Sequence, residues 1–236
     1  RSVEFASSAR SGNAVLGFTY KYKWSNQINF YGQFILDEFS LGDIKNGDNS
    51  WKNKYGYQLG AKYYNAFHVD NLFLQLEYNH VRPYVYSHSM PITNYGHNNQ
   101  SIGHQWGGNF KELIAIARYH KGRYFADAKI TIGTRGLDFD TTDNSFNYGG
   151  NIYKDYDENR PFNTGVKVGQ GNKTSIFIAD LQGGYLVNPA TNLKLFGSFI
   201  YRSFDPTKNT ATTFNDSTNW FSVGLRADIF NWYFDY

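Results

Sequence analysis

Residues 221–236 read FSVGLRADIFNWYFDY, and their spacing decides the fold. Phe221, Val223, Leu225, Ala227 and Ile229 alternate with Ser222, Gly224, Arg226 and Asp228, the two-residue period of a strand with one apolar and one polar face. The apolar face changes parity between Ile229 and Phe230, as one inserted bulge residue would make it do. Phe230, Trp232, Phe234 and Tyr236 then follow at every second position. On a chain whose mean hydropathy is −0.57, so aromatic an end predicts a terminus that does not face water.

The composition points the same way. The 236 residues include 20 Tyr, 20 Phe and 5 Trp but a single Met and no Cys, an aromatic weight that calls for an interface to occupy. No run approaches the roughly 18 apolar residues of a membrane helix, so a bilayer would have to be crossed by strands, and strands with one wet face explain the low hydropathy. The lack of Cys excludes disulfides and thiolate chemistry. A net charge of +3 is too small to imply a nucleic-acid partner.

Working outward from the closing segment, the same alternation recurs and predicts nine strands. One face of the first carries Leu16, Phe18, Tyr20, Tyr22 and Trp24; the second sets Ile28, Phe30, Phe34 and Leu36 against Asn29, Tyr31, Gln33 and Asp37. Tyr55 to Tyr63, Leu72 to Asn79, Tyr124 to Gly133, Ile176 to Val187, Leu193 to Ser203 and Phe221 onward repeat the design. Only the fifth, about Lys111 to Tyr119, is ambiguous, because Ile114 and Ile116 share a parity with Glu112 and Arg118. In the other eight, the charges Lys21, Lys23, Asp37, Lys62, Glu77, Asp127, Lys129, Asp180, Lys194, Arg202, Arg226 and Asp228 all oppose the apolar set. A water-soluble sandwich also separates its faces. Tyr and Trp at the strand ends and Gly, Gln and Lys on the polar face fit a membrane barrel with a wet lumen better.

Connections alternate in length. The long ones are expected at about 40–54, 82–109, 135–174 and 204–218, and the short ones are turns. Outer-membrane barrels keep long loops outside and short turns in the periplasm, so the last strand runs inward and Tyr236 ends at the periplasmic rim. The first strand then also runs inward, which places RSVEFASSARSGN (1–13) outside. An odd count starting outside predicts that residues 1–236 are the C-terminal portion of a larger outer-membrane barrel domain. The expected fold is thus all-β, a transmembrane antiparallel up-and-down β-barrel in the bacterial outer membrane.

The segments YGQFILDEF (31–39), YNHVRPYVYSHSMPITNYGHNNQSIGHQWGGNF (78–110), FNYGGNIY (146–153), GYLVNPATNLKL (184–195) and the closing 221–236 stretch carry a resemblance. In that order, they resemble the C-terminal half of the Wzi-type capsule-assembly outer-membrane proteins of Bacteroidetes, a group that includes gliding-motility RemB-like proteins. Gln105, Trp106 and Gly108 depart from the family's loop pattern. The resemblance implies a large barrel concerned with holding surface polysaccharide or with assembling cell-surface machinery.

The 82–109 loop is the densest candidate site. It holds Tyr84, Tyr86, His88, Tyr95, His97, Asn98, His104 and Trp106, aromatic faces for sugar C–H surfaces beside groups that satisfy hydroxyls. The plainer reading, compatible with the first because a plug can line a binding groove, is that the loop folds inward as a plug and its aromatics simply pack. Asp138, Asp140, Asp143, Asp155, Asp157 and Glu158 lack the spacing of an EF-hand, and His88, His97 and His104 lack that of a zinc site, so no metal is expected. His97, Asn98 and Ser101 lie in a loop rather than on the barrel wall where a lipase would need them, so no enzyme and no cofactor is expected either. Two function classes follow: a barrel that binds or anchors surface polysaccharide, and a structural subunit of a gliding or secretion complex with protein partners. A passive pore is a third, since the lumen face mixes both charge signs.

Overall fold

The computed structural model describes residues 14–227. The expectations for residues 1–13, for the parity switch at Ile229 and Phe230 and for the closing NWYFDY fall outside that range. The strands are β1 (Leu16–Lys23), β2 (Ile28–Glu38), β3 (Lys54–Tyr64), β4 (Leu72–Val81), β5 (Gly96–His97), β6 (Gln100–Ser101), β7 (Phe110–Lys121), β8 (Tyr124–Leu137), β9 (Asn172–Asn188), β10 (Leu193–Pro206) and β11 (Asp216–Arg226). A short helix, α1 (Leu41–Asn46), follows β2; the Ser40 side chain caps its start and Gly47 closes it at φ 72°.

All strands except β5 and β6 form one nine-stranded antiparallel sheet in which every strand pairs with its neighbour in the chain, while β5 and β6 make a separate hairpin. This is the up-and-down meander that the alternation predicts. Turn geometry is local at the short-loop end, where Gly122, at φ 60°, joins β7 to β8 in two residues. At the other end the strands run further than expected, which shortens the third and fourth long loops to 138–171 and 207–215. The extensions carry little hydropathic alternation, and backbone pairing such as Asp205 with Ser175 and Phe204 with Asp216 holds them in the ladder.

Register assigns every face. One row runs Tyr22, Phe30, Ala61, Leu76, Ala115, Ile130, Ala179 and Tyr201 across eight strands, and the next runs Asn29, Lys62, Gln75, Ile116, Lys129, Asp180 and Ile200 on the opposite face. The ambiguity in β7 is resolved: Leu113, Ala115 and Ala117 join the apolar face, while Glu112, Ile114, Ile116 and Arg118 join the polar one. A register shift between Leu36 and Glu38 turns Glu38 onto the polar face, where it meets Lys54 at 2.8 Å.

No second sheet covers the apolar face among the described residues. Leu59, Leu76 and Ile132, in the interior of the sheet, are 48 %, 52 % and 53 % exposed. A soluble sandwich buries such residues, so that alternative fails. Lys111, Lys121, Lys173 and Asp205 share the apolar parity but sit at strand ends. Toward the short-turn end the polar face carries Lys21, Lys23, Lys62, Arg118, Lys194 and Arg226, with Lys129 and Arg202 higher, against Glu77, Asp127 and Asp180. The buried hydrophobic clusters lie instead at the long-loop end, where loops pack on the inner face of the wall. The fold is the wall of an up-and-down membrane-type β-barrel with its long-loop mouth filled. No helix among the described residues is long and apolar enough to cross a membrane.

Candidate functional site

The filling is built first from residues 82–109. Tyr84 and Tyr86 take positive φ values of 67° and 73°, which bends the chain back into the mouth directly after β4. Tyr84 is fully buried: its N–H donates to Gly149 O at 3.0 Å, its hydroxyl to Asn147 O at 2.8 Å, and its ring meets Trp51 edge-on. Burial pushes its phenol pKa up. Tyr86 donates its N–H to Asp37 Oδ2 at 3.0 Å and stacks on Tyr95 at 5.6 Å. Burial, with the neighbouring Tyr95 and the Asp37 charge, raises its phenol to about 12.

Further along, the plug is bolted to the wall. His104 Nδ1 accepts the Trp106 N–H at 3.1 Å, so the ring carries its proton on Nε2, which donates to Glu112 Oε1 at 2.7 Å. Glu112 is 2 % exposed and also accepts from Asn79 Nδ2 at 2.9 Å. Asn79 bonds Glu77, and Glu77 accepts from the Tyr31 hydroxyl at 2.5 Å, so a continuous polar line descends the inner wall from the plug. Trp106 lies over Gly133, where an added Cβ would stand 2.6 Å from the ring.

Of the residues singled out in the sequence, Tyr84 and Tyr86 are therefore buried, Tyr95 and Trp106 pack against the cluster of Val81, Val85, Phe110 and Ile152, and His104 is locked to the wall. His88 accepts the Met90 N–H and sits edge-on to Tyr156. Only His97 and Asn98, at the tip of the β5–β6 hairpin, are exposed. The loop is the inward plug that the second reading of the sequence describes.

Above this plug lies a cavity of about 730 Å³. The hairpin contributes Asn99, Gln100 and Ser101, the plug Gln105, the third long loop Asn151 and Tyr153, the fourth Thr212 and Thr213, and the wall Arg135. Asn109 fixes its base. Wholly buried at φ 59°, it reaches Gly136 O, Tyr148 O and Gln170 O through Nδ2 and accepts from the Gly169 N–H, so one amide ties three segments. Asp138 and Asp140 also line the cavity, both held by Lys154 Nζ at 2.7 Å. Burial works to lower the Lys154 pKa, but the hydrogen bonds and charges of the two aspartates outweigh it and raise it. A second cavity of about 370 Å³ separates the underside of the plug from the wall at Thr19, Gln33 and Gln58.

The sequence reading missed Arg135, Asn109, Asn151 and Tyr153. Arg135 was legible in principle, because the inward parity of Phe125, Asp127, Lys129, Thr131 and Gly133 continues to it. The loop residues carry no comparable signal.

The geometry defines a class: a membrane-type barrel wall with a plugged mouth and a polar cavity above the plug. No family model matches the chain and no curated protein matches it. Among solved structures it is similar to OprD of Pseudomonas aeruginosa at 15 % identity and a TM-score of 0.40, over 91 % of this chain and 53 % of that one. The chain thus spans about half the length of OprD.

Proposed function

We propose that the chain forms part of an outer-membrane β-barrel that binds surface polysaccharide at its mouth, without catalysing a reaction. The observation that carries this reading is the mouth cavity, whose lining of Asn, Gln, Ser and Thr side chains beside Tyr153 matches the hydroxyls and C–H faces of sugars. The bare apolar face supports the membrane setting, and the long loops then lie outside the cell. The resemblance to Wzi-type capsule-assembly proteins agrees with both. Purified barrel is expected to retain polysaccharide from its own cell envelope. Replacing Asn151 and Thr212 together with alanine should weaken that binding by about 1–3 kcal/mol, the sum of two ordinary hydrogen bonds. Unchanged retention in that variant argues against the cavity as the site.

One observation favours a second reading, a structural subunit of a gliding or secretion complex. Ile92 is 92 % exposed at the long-loop end, and Phe146 and Phe162 are exposed in the third long loop, which is surface for a protein partner. Copurification of a protein at fixed stoichiometry, without glycan, selects it.

A further inference from the structure

We propose that the mouth cavity takes an acidic saccharide, a uronate-bearing chain whose carboxylate pairs with Arg135; the proposal rests on the glycan reading above and names the substrate class. Arg135 stands near the long-loop end of the inward-facing row of β8, one inward position before Leu137, and lines the cavity with it. Its Nε is buried and has no hydrogen-bond partner among the described residues. Ser101 Oγ and the Tyr153 hydroxyl, on two residues that line the same cavity, are buried and unpartnered as well. Buried donors are nearly always satisfied, so three orphans on residues that line one cavity point to a ligand that supplies the missing acceptors.

The cavity's own acids do not fill that role. Asp138 Oδ2 and Asp140 Oδ1 are bound to Lys154, and Asp138 Oδ1 takes the Tyr148 N–H at 2.7 Å. Lys154 thereby offsets part of their charge, while Arg135 keeps its planar fork, the shape that receives a carboxylate through two parallel bonds. The surplus of Lys and Arg over Asp and Glu lower on the inner wall adds a field that favours an anionic ligand over a neutral one.

The test is binding of purified, detergent-solubilised barrel to two probes, oligogalacturonate and the neutral maltoheptaose. Oligogalacturonate should bind at least tenfold more tightly, and its affinity should fall as salt is added. Arg135→Gln should lose tenfold or more for oligogalacturonate and leave maltoheptaose unchanged, while Arg135→Lys keeps part of the affinity because the charge remains without the fork. Should Arg135→Gln fail to assemble, Ser101→Ala and Tyr153→Phe, which remove only unpartnered hydroxyls, should each lower oligogalacturonate affinity several-fold. Equal binding of both probes, or affinity indifferent to salt and to these variants, overturns the acidic class while leaving a saccharide site standing. Binding of neither probe overturns the acidic class, and the glycan reading falls with it if envelope polysaccharide is not retained either.

Discussion

Glu112 is shared inside the lumen between the Asn79 amide and the His104 imidazole. Cutting it to alanine takes the acceptor from the plug's His104 Nε2–H and one of the two that Asn79 Nδ2 uses, at about 1–3 kcal/mol for a buried donor left unpaired. Glu112→Ala is therefore expected to loosen the plug and spare the wall. Trp106 emission, isolated against a Trp106→Phe reference, should move toward that of solvated indole while heat-modifiable migration on a gel is kept. Glu112→Gln retains an acceptor and should change less. Gly133→Val tests the same docking from the other side, since any side chain there collides with the Trp106 ring. Tyr86 offers a pH handle: its neutral phenol contributes fully to plug stability below its ordinary value of 10, and the contribution is lost as pH rises through about 12. A tyrosine absorbance titration should lose part of its late-ionising signal when Tyr86 is replaced by phenylalanine, and the plug should loosen in the same window. At this scale the sequence was least legible. It shows that Tyr95 and Trp106 are aromatic, but their orientation depends on Phe110, Ile152 and Gly133, partners set by tertiary packing.

Within single strands the reading was much better, because each side chain meets one of two unlike surroundings and the period of two records which. The β7 strand was the exception. Its inward Ile114 and Ile116 lie opposite Glu77 and Gln75, so apolar residues occur on both faces and only the pairing register separates them. Strand ends were also obscure, since the extensions beyond Ser203 and before Phe221 are held by backbone bonds that no side-chain pattern announces. The face assignment makes a quantitative prediction. Leu76→Arg or Leu181→Arg, in mid-strand on the apolar face, should destabilise the inserted barrel by about 2–4 kcal/mol. Ser198→Arg, on the inward face across from Ser222, should be mild. Urea unfolding from lipid vesicles reads the difference, and equal penalties at both parities would undo the assignment.

For the molecule as a whole, two features matter together: an apolar surface left bare and a charged inner face closed at one end by loops. Neither β1 nor β11 has an outer partner among the described residues. In lipid, unpaired backbone edges are untenable, so an inserted wall must pair both of them. The account stands or falls on which face meets lipid. Since the natural chain has no Cys, single cysteines placed along β9 and β10 can be read without background. Substituting cysteine in turn from Ile178 to Tyr185 and from Leu195 to Arg202, then reacting the vesicle-embedded protein with a small charged thiol reagent, tests this directly. The account predicts labelling at Ile178, Asp180, Gln182, Ser198, Ile200 and Arg202, and protection at Ala179, Leu181, Gly183, Leu195, Phe199 and Tyr201. Labelling that ignores parity, or that favours the second set, would contradict it.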